Sequence, residues 1–187
     1  MRLFVGVDIP IEIKRTLVQF QSELKDLGIN GFWKSQDNFH ITLDFLGELD
    51  RDKISRLTET LTKLASNFEP FRLTIGGVGA FPSLEKPHIL WTAVRGSLTE
   101  LNRLRQELHQ ELKIDGFQLD ERKFKPHITL ASHSKLDNVD LSVAYSKTLG
   151  EYVVAEVVLF ESGAKHGKRV YTDLFRADFK TAVNDDR

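Results

Sequence analysis

The sequence predicts an α+β protein of two pseudo-symmetric lobes, each a mainly antiparallel sheet with helices on its outer face, and an active-site cleft between them. Three observations predict it. The tetrapeptide HITL stands at residues 40–43 and again at 127–130. Around it, stretches of strand-like and helix-like periodicity recur in the same order. His40 also follows Phe4 at nearly the interval at which His127 follows Leu90. Four shared letters are weak alone, but self-similarity in register marks a duplicated unit. The repeat covers roughly 2–81 and 88–160, a last strand at 169–175 closes the chain, and 1–179 is expected to form a single bilobal domain.

Residues 2–7, RLFVGV, read as a buried strand. Asp8 and Pro10 signal a helix start, and Ile13, Leu17, Phe20, Leu24 and Leu27 then follow at helical spacing until Gly28 stops the run. GFWKS (31–35) is short and strand-like, and the first HITL follows. Asp50 or Asp52 is positioned to cap a second helix striped by Ile54, Leu57, Leu61, Leu64 and Phe68. FRLTIGGVGAF (71–81) is a strand whose glycines predict a bulge or a close approach, and Pro82 and Pro87 bracket a turn. ILWTAV (89–94) begins the second copy. Ser97 and Glu100 match a capping box for a third helix striped by Leu98, Leu101, Leu104, Leu108 and Leu112. GFQL (116–119) echoes GFWK as a short strand before the second HITL. A weaker helix near 138–148 and one strand over YVVAEVVLF (152–160) complete the echo, KHGKR (165–169) reads as a polar hairpin turn, and KTAVNDDR (180–187) as a frayed tail.

At 187 residues, 41% hydrophobic and 28% charged, the chain has the size and composition of an ordinary globular protein. A net charge of −1 leaves any anion-binding site to local clustering. The lack of cysteine excludes disulfides, thiolate metal sites and a cysteine nucleophile. No apolar run approaches the roughly 20 residues that span a bilayer, and MRLFVGVDIP reads as a strand rather than a signal peptide. The expectation is a cytoplasmic, monomeric enzyme or binding domain with no membrane partner and no cofactor.

Period-two geometry gives HITL its meaning. In a strand His40 and Thr42 share one face and Ile41 and Leu43 the other, and likewise His127 and Thr129 against Ile128 and Leu130. Two imidazoles supply general acid and base near neutral pH, since the unperturbed pKa is about 6.5. The threonine hydroxyls can donate to the oxygens of a bound oxyanion. Such a set suits in-line attack at a phosphodiester, above all a strained cyclic one, without requiring a metal.

The chain also resembles a known family. FHITLDFLGELD (39–50), KPHITLAS (125–132), the opening MRLFVGVDIP and LFES (159–162) are similar to the 2H phosphoesterase superfamily, in particular its LigT-like RNA 2′,3′-cyclic phosphodiesterases. The similarity runs to about Phe179. It implies a bilobal fold and metal-independent opening of RNA or nucleotide 2′,3′-cyclic phosphates to 2′-phosphomonoesters, with reversible 2′–5′ RNA ligation in some members. His40 and His127 would then be the acid–base pair, and Thr42 and Thr129 the phosphate donors. Two positions depart from the family's habit. Ser132 stands where an arginine often follows the second motif, and Asp44 where a basic or small residue often follows the first. By strand parity Asp44 shares the face of His40, where a carboxylate would repel phosphate. Lys125, His133, Lys165 and Lys168 are candidates for the missing cation.

Other residues are read more plainly. His88 is structural, because no threonine follows it, and His109 is a solvated residue on the leucine-striped helix. His133 has cleft parity if its strand runs on. KHGKR is a candidate contact to RNA phosphates, and Phe45, Phe124 and Trp33 are candidates to stack a base, with core packing the plainer reading for each. Alternative activities are 2′–5′ oligonucleotide or small cyclic-nucleotide phosphodiesterase, a non-catalytic RNA-end-binding module, and a metal-dependent hydrolase, for which the sequence offers no compact ligand set.

Overall fold

The computed structural model describes residues 1–136 and 139–180. Apolar stripes became helices and apolar runs became strands in the order β1 (Arg2–Asp8), α1 (Ile11–Asp26), β2 (Asn30–Trp33), β3 (His40–Glu48), α2 (Lys53–Ala65), β4 (Phe71–Pro82), β5 (Pro87–Gly96), α3 (Leu98–Ile114), β6 (His127–Lys135), α4 (Ser142–Ser146), β7 (Thr148–Val154), β8 (Glu156–Lys165) and β9 (Lys168–Asp178). The strands form two antiparallel sheets, ordered β3-β1-β8-β9 and β2-β6-β5-β4-β7. The order β3-β1-β8-β9 corresponds strand for strand to β6-β5-β4-β7, so the predicted pseudo-symmetry is present.

The lobes are not the two halves of the sequence. β4, which ends the first repeat, pairs with β5, while β8, which ends the second, pairs with β1. This reciprocal exchange knits the lobes together. Helices α1 and α4 contact the five-stranded sheet through β7 and β4, and α2 and α3 contact the four-stranded sheet through β9, β8 and β3. One apolar core runs through both lobes and includes Leu17, Leu24, Ile41, Leu57, Leu61, Leu101, Leu108 and Ile128, each at most 1% exposed. Each such side chain contributes about 1.5–3 kcal/mol relative to exposure.

Four expectations change. GFQL forms no strand; Phe117 and Leu119 pack against the core from an irregular segment, so their alternation records burial rather than ladder pairing. The apolar run 152–160 is two strands in different sheets, divided at Ala155, whose carbonyl accepts from Phe179 N–H (2.8 Å). The helix expected over 138–148 is only Ser142–Ser146. Neither Ser97 nor Asp52 makes a side-chain cap hydrogen bond, so the capping box is not formed; at α3 the chain enters the helix through Leu101 N–H to Ser97 O (3.1 Å).

The glycine-rich stretch of β4 behaves as read. Pairing with β5 shifts register between Gly76 and Gly79, and Gly77 takes a positive φ of 80°. Gly79 lies beneath the Trp91 indole, where a Cβ would clash with the ring. At the far end, Lys165 and Lys168 pair across His166 and Gly167, both at positive φ, which makes KHGKR a two-residue hairpin turn. The tail lies outside the described residues except Lys180, whose N–H donates to Phe68 O (3.0 Å).

Candidate active site

The two motif strands are neighbours across the cleft: residues of β3 and β6 lie within 8 Å, Cα to Cα, although the strands belong to different sheets. Both carry the same irregularity. Leu43 is skipped in the pairing of β3 with β1, and Leu130 in the pairing of β6 with β5. Up to that bulge parity holds. Ile41, Leu43, Ile128 and Leu130 are buried, and His40, Thr42, His127 and Thr129 are partly exposed on the other face.

Each histidine is oriented alike. His40 Nδ1 lies 2.9 Å from Asn38 O, and His127 Nδ1 lies 2.6 Å from Lys125 O. A carbonyl only accepts, so each Nδ1 carries the proton and each Nε2 keeps its lone pair. His40 Nε2 accepts from the Thr42 hydroxyl (2.9 Å); among the described residues no such bond joins His127 to Thr129. The His40 ring packs against Phe4 (4.7 Å between centroids) and edge-on to Tyr171 (4.9 Å). The His127 ring meets Phe81 edge-on (5.0 Å) and Trp91 at 6.1 Å. Beneath His40, Phe4, Val158 and Phe160 form an apolar cluster separate from the main core.

These walls set the protonation. Desolvation by the aromatic cluster pushes His40 down to about 4, opposed by the Asn38 carbonyl and assisted by the field of His127. Burial also lowers His127, with the Lys125 ammonium acting in the same direction. The environments differ across the pseudo-axis. Asp8 stands opposite His40 in the ladder, where Ala93 stands opposite His127. The Asp8 carboxylate is held by Lys14 (2.9 Å) and Arg176 (2.7 Å), which outweigh its burial and keep it below the usual range.

The bulges change what two parity readings imply. Past Leu43, Asp44 still borders the cleft, but it is 3% exposed and engaged by His109 Nδ1 (3.0 Å) and Arg105 Nη2 (3.2 Å). The exposed side chain that follows it on the cleft is Phe45, 53% exposed. Past Leu130, Ser132 sits in register with the cleft-lining Ile89, and His133 turns aside to pack on Phe32 (5.2 Å) and His88 (4.6 Å). His109 is not solvated: it is 8% exposed, between Asp44 and Glu121. Only its flanking position beside the leucine stripe could have marked it. His88 is exposed and packs on His133.

The cleft encloses about 950 Å³ and is lined by Thr42, Thr129 and His127 from the motifs, with Phe45, Phe81 and Phe124. Sequence reasoning named Lys125 as a candidate cation. Its ammonium lies over Trp91 (4.9 Å) and Phe81 (5.1 Å), beside His127. Arg105, Arg122 and Lys123 also line the cleft and were not singled out in the sequence. Among the described residues, Lys165 and Lys168 do not line it. Trp33 packs against the core under Lys25 (5.1 Å) rather than into the cleft. Also among the described residues, no three His, Asp or Glu side chains converge as a metal-binding group, and no helix is long and apolar enough to cross a membrane.

Two pseudo-symmetric sheets, with Thr42 of one motif and His127 and Thr129 of the other lining a common cleft and His40 set among Phe4 and Tyr171 beside Thr42, have the arrangement of a 2H phosphoesterase. The LigT like Phosphoesterase family model matches residues 7–91 and 95–170, and the chain belongs to that family. It is 34% identical over 178 residues to the RNA 2′,3′-cyclic phosphodiesterase of Archaeoglobus fulgidus, covering 93% of this chain and 98% of the relative. It is 37% identical over 130 residues to the enzyme of the same name from Thermotoga maritima, covering 70% and 68%. Among solved structures, a protein of Thermus thermophilus superposes with a TM-score of 0.79 at 26% identity, covering 96% of this chain and 98% of that one. E. coli LigT complexed with 3′-AMP superposes with a TM-score of 0.77 at 27% identity, covering 95% and 97%.

Proposed function

We propose that the protein hydrolyses RNA or nucleotide 2′,3′-cyclic phosphates to 2′-phosphomonoesters, with His40 and His127 as the acid–base pair and Thr42 and Thr129 as phosphate donors. The observation that carries this reading is the matched orientation of the two imidazoles. Both Nδ1–H groups are tied to backbone, so both Nε2 atoms keep the lone pair that proton transfer needs, that of His40 accepting from Thr42 until a bound phosphate draws the hydroxyl away. The names of the relatives support the substrate class.

In the proposed step, Nε2 of one histidine takes a proton from water as the water oxygen bonds to phosphorus. The P–O3′ bond breaks, and the other, protonated histidine delivers its proton to O3′. His40, which burial pushes down to about 4, is neutral and suits the base, and His127 is then assigned the acid. Each proton transfer is worth about 10²–10⁴ in rate. The threonine hydroxyls stabilise the non-bridging oxygens. Lys125, beside His127, supplies the positive charge that Ser132 does not.

The test is a product assay on a 2′,3′-cyclic nucleotide, read by phosphorus NMR, with and without EDTA. The expected product is the 2′-phosphate at equal rate in both. His40→Ala and His127→Ala should each lose at least about 10²-fold in kcat. Undiminished turnover in either folded variant rejects the assignment.

A further inference from the structure

Each motif strand is tied beside its bulge to a buried polar residue of a helix, but the two ties differ in kind. On β6, Gln21 of α1 donates through its amide to Leu130 O (2.9 Å) and also to Lys34 O (2.9 Å). On β3, His109 Nδ1 of α3 lies 3.1 and 3.0 Å from the two oxygens of Asp44. Arg105, one helical turn earlier, adds its Nη2 to the same carboxylate (3.2 Å). The neutral tie of one side is replaced on the other by an ionic one that brings a guanidinium to the cleft. Arg105 lines that cleft with Thr42, Thr129 and His127, and its guanidinium lies 5.9 Å from the Phe124 ring centre. Its side chain is 17% exposed and that of Asp44 is 2% exposed. Burial raises the Asp44 carboxyl above its ordinary value, and the bonds from His109 and Arg105 oppose that rise. Of the N–H groups of Arg105, Asp44 engages Nη2, and the buried Nε–H has no partner among the described residues. The other cleft cations are held differently. Arg122 folds back onto Asp120 (2.7 Å), Lys123 is exposed, and Lys125 rests over Trp91 (4.9 Å).

We infer that Arg105 is a further substrate-binding residue of this reaction. Its guanidinium holds a non-bridging oxygen of the reacting phosphodiester on the β3 side of the cleft, and Asp44 and His109 are the positioning residues that fix it there. A guanidinium braced by a carboxylate presents its remaining N–H groups in a fixed plane, which suits phosphate oxygens. Charge grows on those oxygens as water adds to phosphorus, so a cation placed beforehand acts on the barrier more than on binding. Lys125 charges the His127 side, so each motif strand is served by one cation, and neither comes from the repeated letters. The inference rests on the phosphodiesterase reading above.

The experiment measures kcat and KM on a 2′,3′-cyclic nucleotide for the wild type, Arg105→Met, Arg105→Lys, Asp44→Asn, the Asp44→Asn/Arg105→Met double variant and Arg122→Gln. Each protein is first checked for a cooperative urea transition. Arg105→Met should lose about 10²-fold in kcat with KM moved far less. Arg105→Lys keeps the charge without the planar fork and should lose about tenfold. Asp44→Asn should also lose about tenfold by loosening the guanidinium, and should cost nothing more in the Arg105→Met background. A loss in folded Arg105→Met or Arg105→Lys no greater than in Arg122→Gln overturns the inference. So does a loss carried by KM alone, or an Asp44→Asn effect that persists undiminished in the Arg105→Met background. Each of these results leaves the phosphodiesterase reading intact. No turnover by the wild type removes that reading, and this inference with it.

Discussion

Replacing His40 by Asn tests the desolvated imidazole without touching the fold around it. Asn can place its Nδ2–H group near the position of the imidazole Nδ1 and keep the bond to Asn38 O, but it does not titrate. In the unfolded chain a histidine titrates near 6.5, whereas folded His40 titrates near 4. Between those values the unfolded state holds a proton that the native state refuses, so stability falls as pH falls. The contribution is complete above about pH 6.5 and gone below about pH 4. From pH 7 to about pH 4.5 the linkage amounts to roughly 2–3 kcal/mol, at about 1.36 kcal/mol per unit. His127 is also lowered and acts with the same sign, but it is present in both proteins and cancels in the comparison. Urea unfolding followed by tryptophan fluorescence should show the wild type losing that much more stability than His40→Asn over this range. With an m-value of about 2 kcal/mol/M, the wild-type midpoint falls by about 1 M more. Parallel pH curves for the two proteins would refute the claim that the Phe4–Phe160–Tyr171 cluster desolvates His40.

Asp44→Ala should destabilise by about 3–5 kcal/mol in chemical denaturation, because it leaves the half-buried Arg105 guanidinium and the buried His109 without their shared carboxylate; pairing it with Arg105→Leu should restore part of the loss. Gly79→Ala should displace the Trp91 indole, cost about 1–3 kcal/mol by overpacking and change the near-ultraviolet circular dichroism, since the added Cβ meets the ring. Thr129→Val should lower kcat about 10²-fold with the fold intact by circular dichroism, as expected for one lost oxyanion donor.

The helices and their buried faces were legible because a stripe of leucines at helical spacing has few other uses: Leu101, Leu104, Leu108 and Leu112 are all fully buried as the spacing requires. The motif strands were legible for the same reason at period two. What local pattern could not carry was the partner of each strand. The run 152–160 gives no mark at Ala155 that β7 belongs to one sheet and β8 to the other. Phe117 and Leu119 alternate as a strand does, yet only bury. His109 flanks its stripe, and its partner Asp44 reaches it only because β3 slips by one residue.

That slip bears on the chemistry. A perfect two-fold site would give both histidines one environment, whereas hydrolysis needs one of them protonated and the other neutral. The duplicated bulges at Leu43 and Leu130 preserve the symmetric part, His and Thr on each side, and then reverse parity so that the next cleft positions come from unrelated residues. On one side these include Phe45, with Asp8 across the ladder and Thr42 bonded to His40; on the other, Ala93 stands across the ladder and the Lys125 ammonium lies beside His127. Apart from the Thr42 bond to His40, the residues that distinguish the two imidazoles lie outside the repeated letters. Exchanging these neighbours should therefore change which histidine holds the proton, whereas exchanging Ile or Leu within HITL should change only stability.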